Sequence, residues 1–282
     1  DIDIDTTGAL DVASTGVVDA STGDVDLESG ANMSITGGSV SGTTVTLVSG
    51  GNIVQDAAGT ITATTLTGSS KEQTELNGTN NNVAFINNFV TGEVGGHEGG
   101  FVLNNGRTGT TKITGTLSSQ GGDIDVATAG RLDANGTVTS NDGNISLASG
   151  GNSFLYVRGT VDAGAGDVDL DAAAELNLND GTVIGNNVNL DGKIIEQNAD
   201  GTIIANELTG RSTKSTKLNG LANEIQAIGD FETGKVGPVH YDGGFVLNNA
   251  YTGRLNINGD VTSQGGDIEI TTPGQLNVNG AT

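Results

Sequence analysis

Short stretches of alternating polar and apolar residues recur along the chain, separated by turns rich in Gly and Asn. The form x-I/V-x-I/V/L occurs at residues 1–4, 24–27, 44–47, 123–126, 144–147, 167–170, 187–190 and 267–270. A period of two sends Ile124 and Val126 to one side of a strand and Asp123 and Asp125 to the other. No window sustains apolar positions at a period of 3.6, so no helix longer than about two turns is predicted. The recurrences are mostly spaced by roughly 20 to 24 residues, with two shorter steps near Val45 and Val188. That spacing suits one coil of three strands.

Residues 123–143 show how such a coil closes. Ile124 and Val126 point inward from the first strand. Gly130 permits a tight bend, and a second short strand follows with Leu132 inward. Asn135-Gly136 is a turn signal. Val138 is the inward residue of the third strand, and Asn141-Asp142-Gly143 closes the coil. The chain then returns to its start about 4.8 Å higher. About 13 such rungs would make a rod of roughly 60 Å, with open sheet edges at both ends of the isolated chain.

A longer repeat overlies the coils. GGFVLNN occurs at 99–105 and 243–249, SQGGDIDV at 119–126 returns as SQGGDIEI at 263–270, and LTGSS at 66–70 matches LTGRS at 208–212. The period is about 143 residues. It divides the chain into a first large repeat (1–122), a second (123–266) and the start of a third (267–282), within one continuous solenoid. Asp123 follows Asp1 by 122 residues, whereas Asp167 follows Asp24 by 143. The offsets differ by 21, one coil, so the first repeat is one rung shorter. A solenoid tolerates this because each rung touches only its neighbours. Aligned by sequence, Ile2, Val25, Ile124, Ile145, Val168, Val188 and Ile268 are expected in one stacked column, and Leu10, Leu132 and Leu276 in a second. Residues 71–82 and 213–223 break the pattern and read as longer loops or irregular rungs. The stretches 91–100 and 233–244 also vary.

Composition narrows the class. The 282 residues include 47 Gly, two Pro, no Cys and no Trp, and 34% are hydrophobic but only 3% aromatic. That mix suits a narrow aliphatic core with many turns. A net charge of −23 argues against nucleic acid and against an anionic membrane surface as partners. Without Cys there are no disulfides or thiolate metal sites, and no apolar run reaches the roughly 20 residues of a membrane span. Lacking an initiator Met and a signal peptide, the chain reads as an excised segment.

The cadence GGDIDVATAGRLDANGTVTSNDGNISLASGG at 121–151 resembles the repeats of filamentous haemagglutinin-like exoproteins. GTITATTLTGSS at 59–70, GGFVLNN at 99–105 and KITGTLSSQGG at 112–122 are similar to rungs of the same family. The resemblance covers nearly the whole chain. It implies a right-handed parallel β-helix, secretion by the two-partner route and a place at the cell surface. It also implies roles in adhesion, biofilm or display of a terminal effector, with a host or neighbouring cell surface, glycan or matrix protein as partner. The family's amino-terminal secretion domain is not evident in the sequence.

The remaining chemistry is sparse. Outward carboxylates stacked on neighbouring rungs, with Asp3, Asp26, Asp125 and Asp169 as candidates, would suit an oxygen-only calcium site. The competing reading is a solvated acidic face, and the calcium β-roll signature G-G-x-G-x-D is missing. His97 and His240 sit in equivalent stretches beside Glu98 and Asp242, which suggests a repeated loop feature rather than an active site. Polysaccharide cleavage would need clustered carboxylates in a cleft; the chain is read as non-enzymatic, with no catalytic or cofactor-binding residues. Sequons at Asn32, Asn77, Asn135 and Asn144 are short motifs in an Asn-, Ser- and Thr-rich chain. Asn104, Asn105, Asn248 and Asn249 are expected to cap turns or form ladders. The expected function is a structural shaft holding a distal binding or effector region away from the cell, with lateral or end-to-end self-association open to it. The alternative is a carbohydrate- or calcium-binding surface, with the acidic face or the loops around Lys71 and Lys214 as the contact.

Overall fold

The computed structural model describes residues 1–93, 99–234 and 243–279. Among them there is no helix, and 31 strands join in one continuous parallel sheet network. The chain winds as a β-solenoid of about 13 turns. Each strand bonds to the strand one coil below and one coil above. Residues 124–128 lie on 101–105 and beneath 145–149.

Alternation decides what is buried. In Ile145–Ser149 the first, third and fifth residues point inward and are covered. Ile124, Val126, Leu132 and Val138 are fully buried, as the coil reading requires. Each such side chain contributes about 1.5–3 kcal/mol on burial, and the contributions are spread along the axis. Four Phe, at 89, 101, 231 and 245, thicken the core at matching places in the two repeats. They pair as tilted rings with centroids 5.0 Å (Phe89–Phe101) and 4.8 Å (Phe231–Phe245) apart.

Some rungs bend a single strand around a corner. Thr60–Ser70 and Thr202–Ser212 each run eleven residues across two faces. Gly68 and Gly210, with φ of 153° and 157°, stand where the strand above shifts register by one residue. A Cβ at either would overlap the carbonyl oxygen of the rung below, that of Leu47 or Leu190.

The expected columns need correction. Leu10 is followed upward by Met33, Ile53, Thr74, Phe101 and then Ile124, continuing through Ile145, Val168 and Val188 to Leu208. Ile2 heads a different column, through Val25, Val45, Leu66, Ile86 and Ile113 to Ala134. Ile268 stands above Leu132, by way of Leu155, Leu176, Ile195, Thr216 and Phe245. Leu276 stands on Leu255. Strands that match in sequence thus need not share a column: Ile124 stands in the column of Leu10, whereas the columns of Ile2 and Ile268 pass through one strand, at Ala134 and Leu132. An inward aliphatic packs equally well on any face, so sequence similarity does not fix which face it occupies.

Residues 71–82 and 213–223 also need correction. Each contains a regular short strand, Thr74–Leu76 or Thr216–Leu218, with first and third residues buried. Both stack in register on the rung below. They looked irregular because a buried Thr replaces an aliphatic residue. The Thr74 hydroxyl donates to Ser70 Oγ (2.9 Å), and Thr216 to Ser212 Oγ (2.9 Å).

Candidate functional site

The acidic residues divide into two structural roles. The first Asx of each motif lies at a corner, where its side chain accepts the backbone N–H of the residue above. Asp1 Oδ1 accepts from Asp24 N (2.9 Å), and Asp24 Oδ1 from Thr44 N (2.9 Å). Asp123, Asn144 and Asp167 do the same for the next rungs at 2.7, 2.9 and 3.0 Å. These residues satisfy corner N–H groups that the strand ladder leaves over. Asn32 belongs to a parallel series, accepting from Asn52 N (3.0 Å), and Asn52 Oδ1 accepts from Gln73 N (3.1 Å). Of the sequon residues, Asn32, Asn135 and Asn144 are exposed and Asn77 is partly covered.

The second Asx of each motif faces solvent. Asp3 and Asp26 are direct register neighbours. Asp125 and Asp169 share a column on another face, separated by Ser146. The four calcium candidates therefore form two pairs rather than one cluster. Among the described residues, no three His, Cys, Asp or Glu side chains come together in a group that could hold a metal ion. Desolvation, and then the charge of Asp169, pushes the Asp125 carboxyl above its ordinary range. Asp171 is raised by desolvation and by Asp191 and Asp169, with Arg211 opposing. Asp19 goes the other way, held low by the Ser41 hydroxyl and the Ser21 N–H.

A corner cleft occurs twice. In the second repeat, about 450 Å³ is lined by Asp171, Asp191, Lys193, Arg211 and Glu232. At the matching place in the first repeat, about 500 Å³ is lined by Glu28, Val48, Ser69, Lys71, Val90 and Glu93. The shape is duplicated but the lining is not. Asp191 pairs with Arg211 at 3.7 Å, and Lys71 with Glu93 at 3.9 Å. His97, His240, Glu98 and Asp242 lie outside the described residues.

Two features were missed in the sequence. The first is a buried amide pair, also duplicated. Gln197 and Asn223 exchange two hydrogen bonds of 2.9 Å. Asn223 Oδ1 accepts from Ile203 N (2.8 Å), its amide donates to Asn248 O (2.9 Å), and Gln197 Oε1 accepts from Gly220 N (3.0 Å). Gln55 and Asn81 repeat the arrangement at 2.8 Å, with Ile61 N on Asn81 Oδ1. The signal was a Gln followed 26 residues later by an Asn in both repeats. The expected Asn ladders sit next to these pairs. Asn105 accepts from Val83 N and donates to Val83 O, and Asn249 does the same with Ile225.

The second is a basic and aromatic patch on three successive rungs. Lys112, Asp133 and Tyr156 are register neighbours. Arg131 grips Asp133 with two bonds, Nε to Oδ1 at 2.5 Å and Nη2 to Oδ2 at 2.9 Å. This carboxylate raises the Arg131 pKa. The guanidinium groups of Arg131 and Arg158 lie over the Tyr156 ring at 4.1 and 4.3 Å. Phe154 flanks Tyr156, with centroids 5.8 Å apart. No family model, curated protein or solved structure matches the chain.

Proposed function

We propose that the chain is a shaft segment of a secreted or cell-surface filamentous adhesin or exoprotein, which holds a distal binding or effector region away from the cell. The observation that supports this reading most is the unbroken parallel ladder of about 13 turns. Its core is distributed along the axis, so length can be added or removed one coil at a time. Most hydrogen-bonding side chains serve that ladder: the corner Asx residues cap it, and the buried amide pairs brace it. The resemblance of its rungs to filamentous haemagglutinin-like repeats supports the extracellular placement. The cell surfaces, glycans or matrix proteins it would meet are contacted by the regions it carries.

The reading is tested by measuring reach. The chain is placed between a surface anchor and a reporter, and the coil at residues 144–166 is removed or duplicated in tandem. Reach should change by about 4.8 Å per coil, with a narrow distance distribution. A reach insensitive to coil number would refute the shaft. Direct retention of glycans or matrix proteins by the isolated chain would favour a surface-binding module instead.

A further inference from the structure

We propose that the basic and aromatic patch around Tyr156 is a lateral docking surface for the acidic face of a second copy of this chain, so that rods associate side by side. In a chain of net charge −23, this face gathers three cations, Lys112, Arg131 and Arg158, around one nearly buried carboxylate, Asp133. Arg158 reaches Asp133 only at 3.9 Å and its side chain is 40% exposed. Phe154 is the one exposed large aromatic side chain among the described residues, at 39%. Exposed Arg158 and Phe154 beside half-buried Arg131 and Tyr156 match the residue types enriched in protein interface cores. Its aromatic part and Arg158 lie on one coil, residues 144–166.

The complementary surface lies on the same and the following coil. Asp123 and Asp125 precede Arg131 in the chain, and Asp167, Asp169 and Asp171 follow Arg158 one coil above, all five exposed. Like-charge crowding there already contributes to the raised pKa of two of them. Two rods laid with parallel axes share the rung spacing of about 4.8 Å, so cation-bearing rungs of one copy can meet carboxylate-bearing rungs of the other. At physiological salt the Debye length is about 8 Å, so charge on distant faces does not cancel the local attraction. The two surfaces are different faces of one molecule. The contact is therefore heterologous and leaves a free face of each kind at the ends of every assembly.

That asymmetry gives the test. Sedimentation velocity of the chain should show concentration-dependent association at 0.15 M salt that weakens at 0.5 M. Arg158→Glu destroys the basic surface and Asp169→Lys the acidic one, and each variant alone should be monomeric. Mixed in equal amounts, they should form a 1:1 dimer and stop there, because each supplies the surface the other lacks. Both residues are exposed; circular dichroism and melting confirm the fold, and Arg158→Gln with Asp169→Asn serves as a milder pair. The proposal is overturned if the unaltered chain is monomeric throughout the micromolar range. It is equally overturned if the variants associate like the parent, or if their mixture stays monomeric.

Discussion

Removing one amide from the buried pair should loosen the second repeat locally and leave the first untouched. Asn223 is fully buried and Gln197 is 2% exposed. Asn223→Ala strips a partner from three groups: the buried Ile203 N–H and Gln197 side-chain N–H and the half-buried Asn248 carbonyl. Each unsatisfied group costs about 1–3 kcal/mol. Water entering the vacated space recovers part of this, so about 1 kcal/mol each, or roughly 3 kcal/mol together, is the expected local loss. Amide hydrogen exchange reads it directly. At about 1.4 kcal/mol per tenfold, exchange at Ile203 should accelerate by roughly a hundredfold. Ile61, held by Asn81 in the first repeat, is the internal control and should not change. Gln197→Ala in the same background should cost less than it does alone, because the orphaned amide is then removed, and the coupling should be about 1–3 kcal/mol. Unchanged protection at Ile203, or an equal change at Ile61, would refute the account of the pair as a local brace.

Deleting residues 144–166 should leave a folded rod, because Asp167 then takes the place of Asn144 on Asp123 Oδ1 and Val168 lands on Ile124; a deletion of half that length, placing turn residues over strand columns, should melt far lower in circular dichroism. Ile124→Asp buries an unpaired charge and should cost several kcal/mol. Asp125→Asn should instead stabilise at neutral pH by about 0.5 kcal/mol, since the side chain still reaches water. The sign follows from the raised folded-state pKa of Asp125: the native carboxylate is penalised above that pKa, and the penalty fades as pH falls through it toward the unfolded value. The advantage of the Asn variant in melting temperature should therefore shrink toward pH 4, and a constant advantage would refute this. Spin labels on Glu75→Cys and Asp125→Cys should lie two rungs apart at about 10 Å, closer than labels on Thr67→Cys and Asp125→Cys; the reverse order would restore the column alignment inferred from sequence.

Particular residues show how far the sequence reached. Period-two alternation identified Ile124 and Val126 as inward and Asp125 as outward, because a strand admits only two sides. Coil length likewise came from spacing alone, as did the register neighbours Asp3 and Asp26. The corner role of Asp1, Asp24 and Asp123 was not visible, since a carboxylate that caps a backbone N–H and one that faces water look alike in a D-x-D string. Thr74 and Thr216 hid regular rungs because their hydroxyls are satisfied by Ser70 and Ser212, partners that only stacking supplies.

What the sequence determined by itself was local: the strands, their inward faces and the coil as the unit. Those follow from alternation and turn chemistry within about 20 residues. The tertiary structure decided which coil face stands above which. Ile124 rests on Phe101 in the column of Leu10, although its sequence matches Ile2. The same displacement separates the Asp3–Asp26 pair from the column of Asp125 and Asp169. Closure of each coil depends on the total residues in its corners and bent strands, a sum over the whole turn. Aliphatic side chains stack equally well on any face, so no single motif records the outcome.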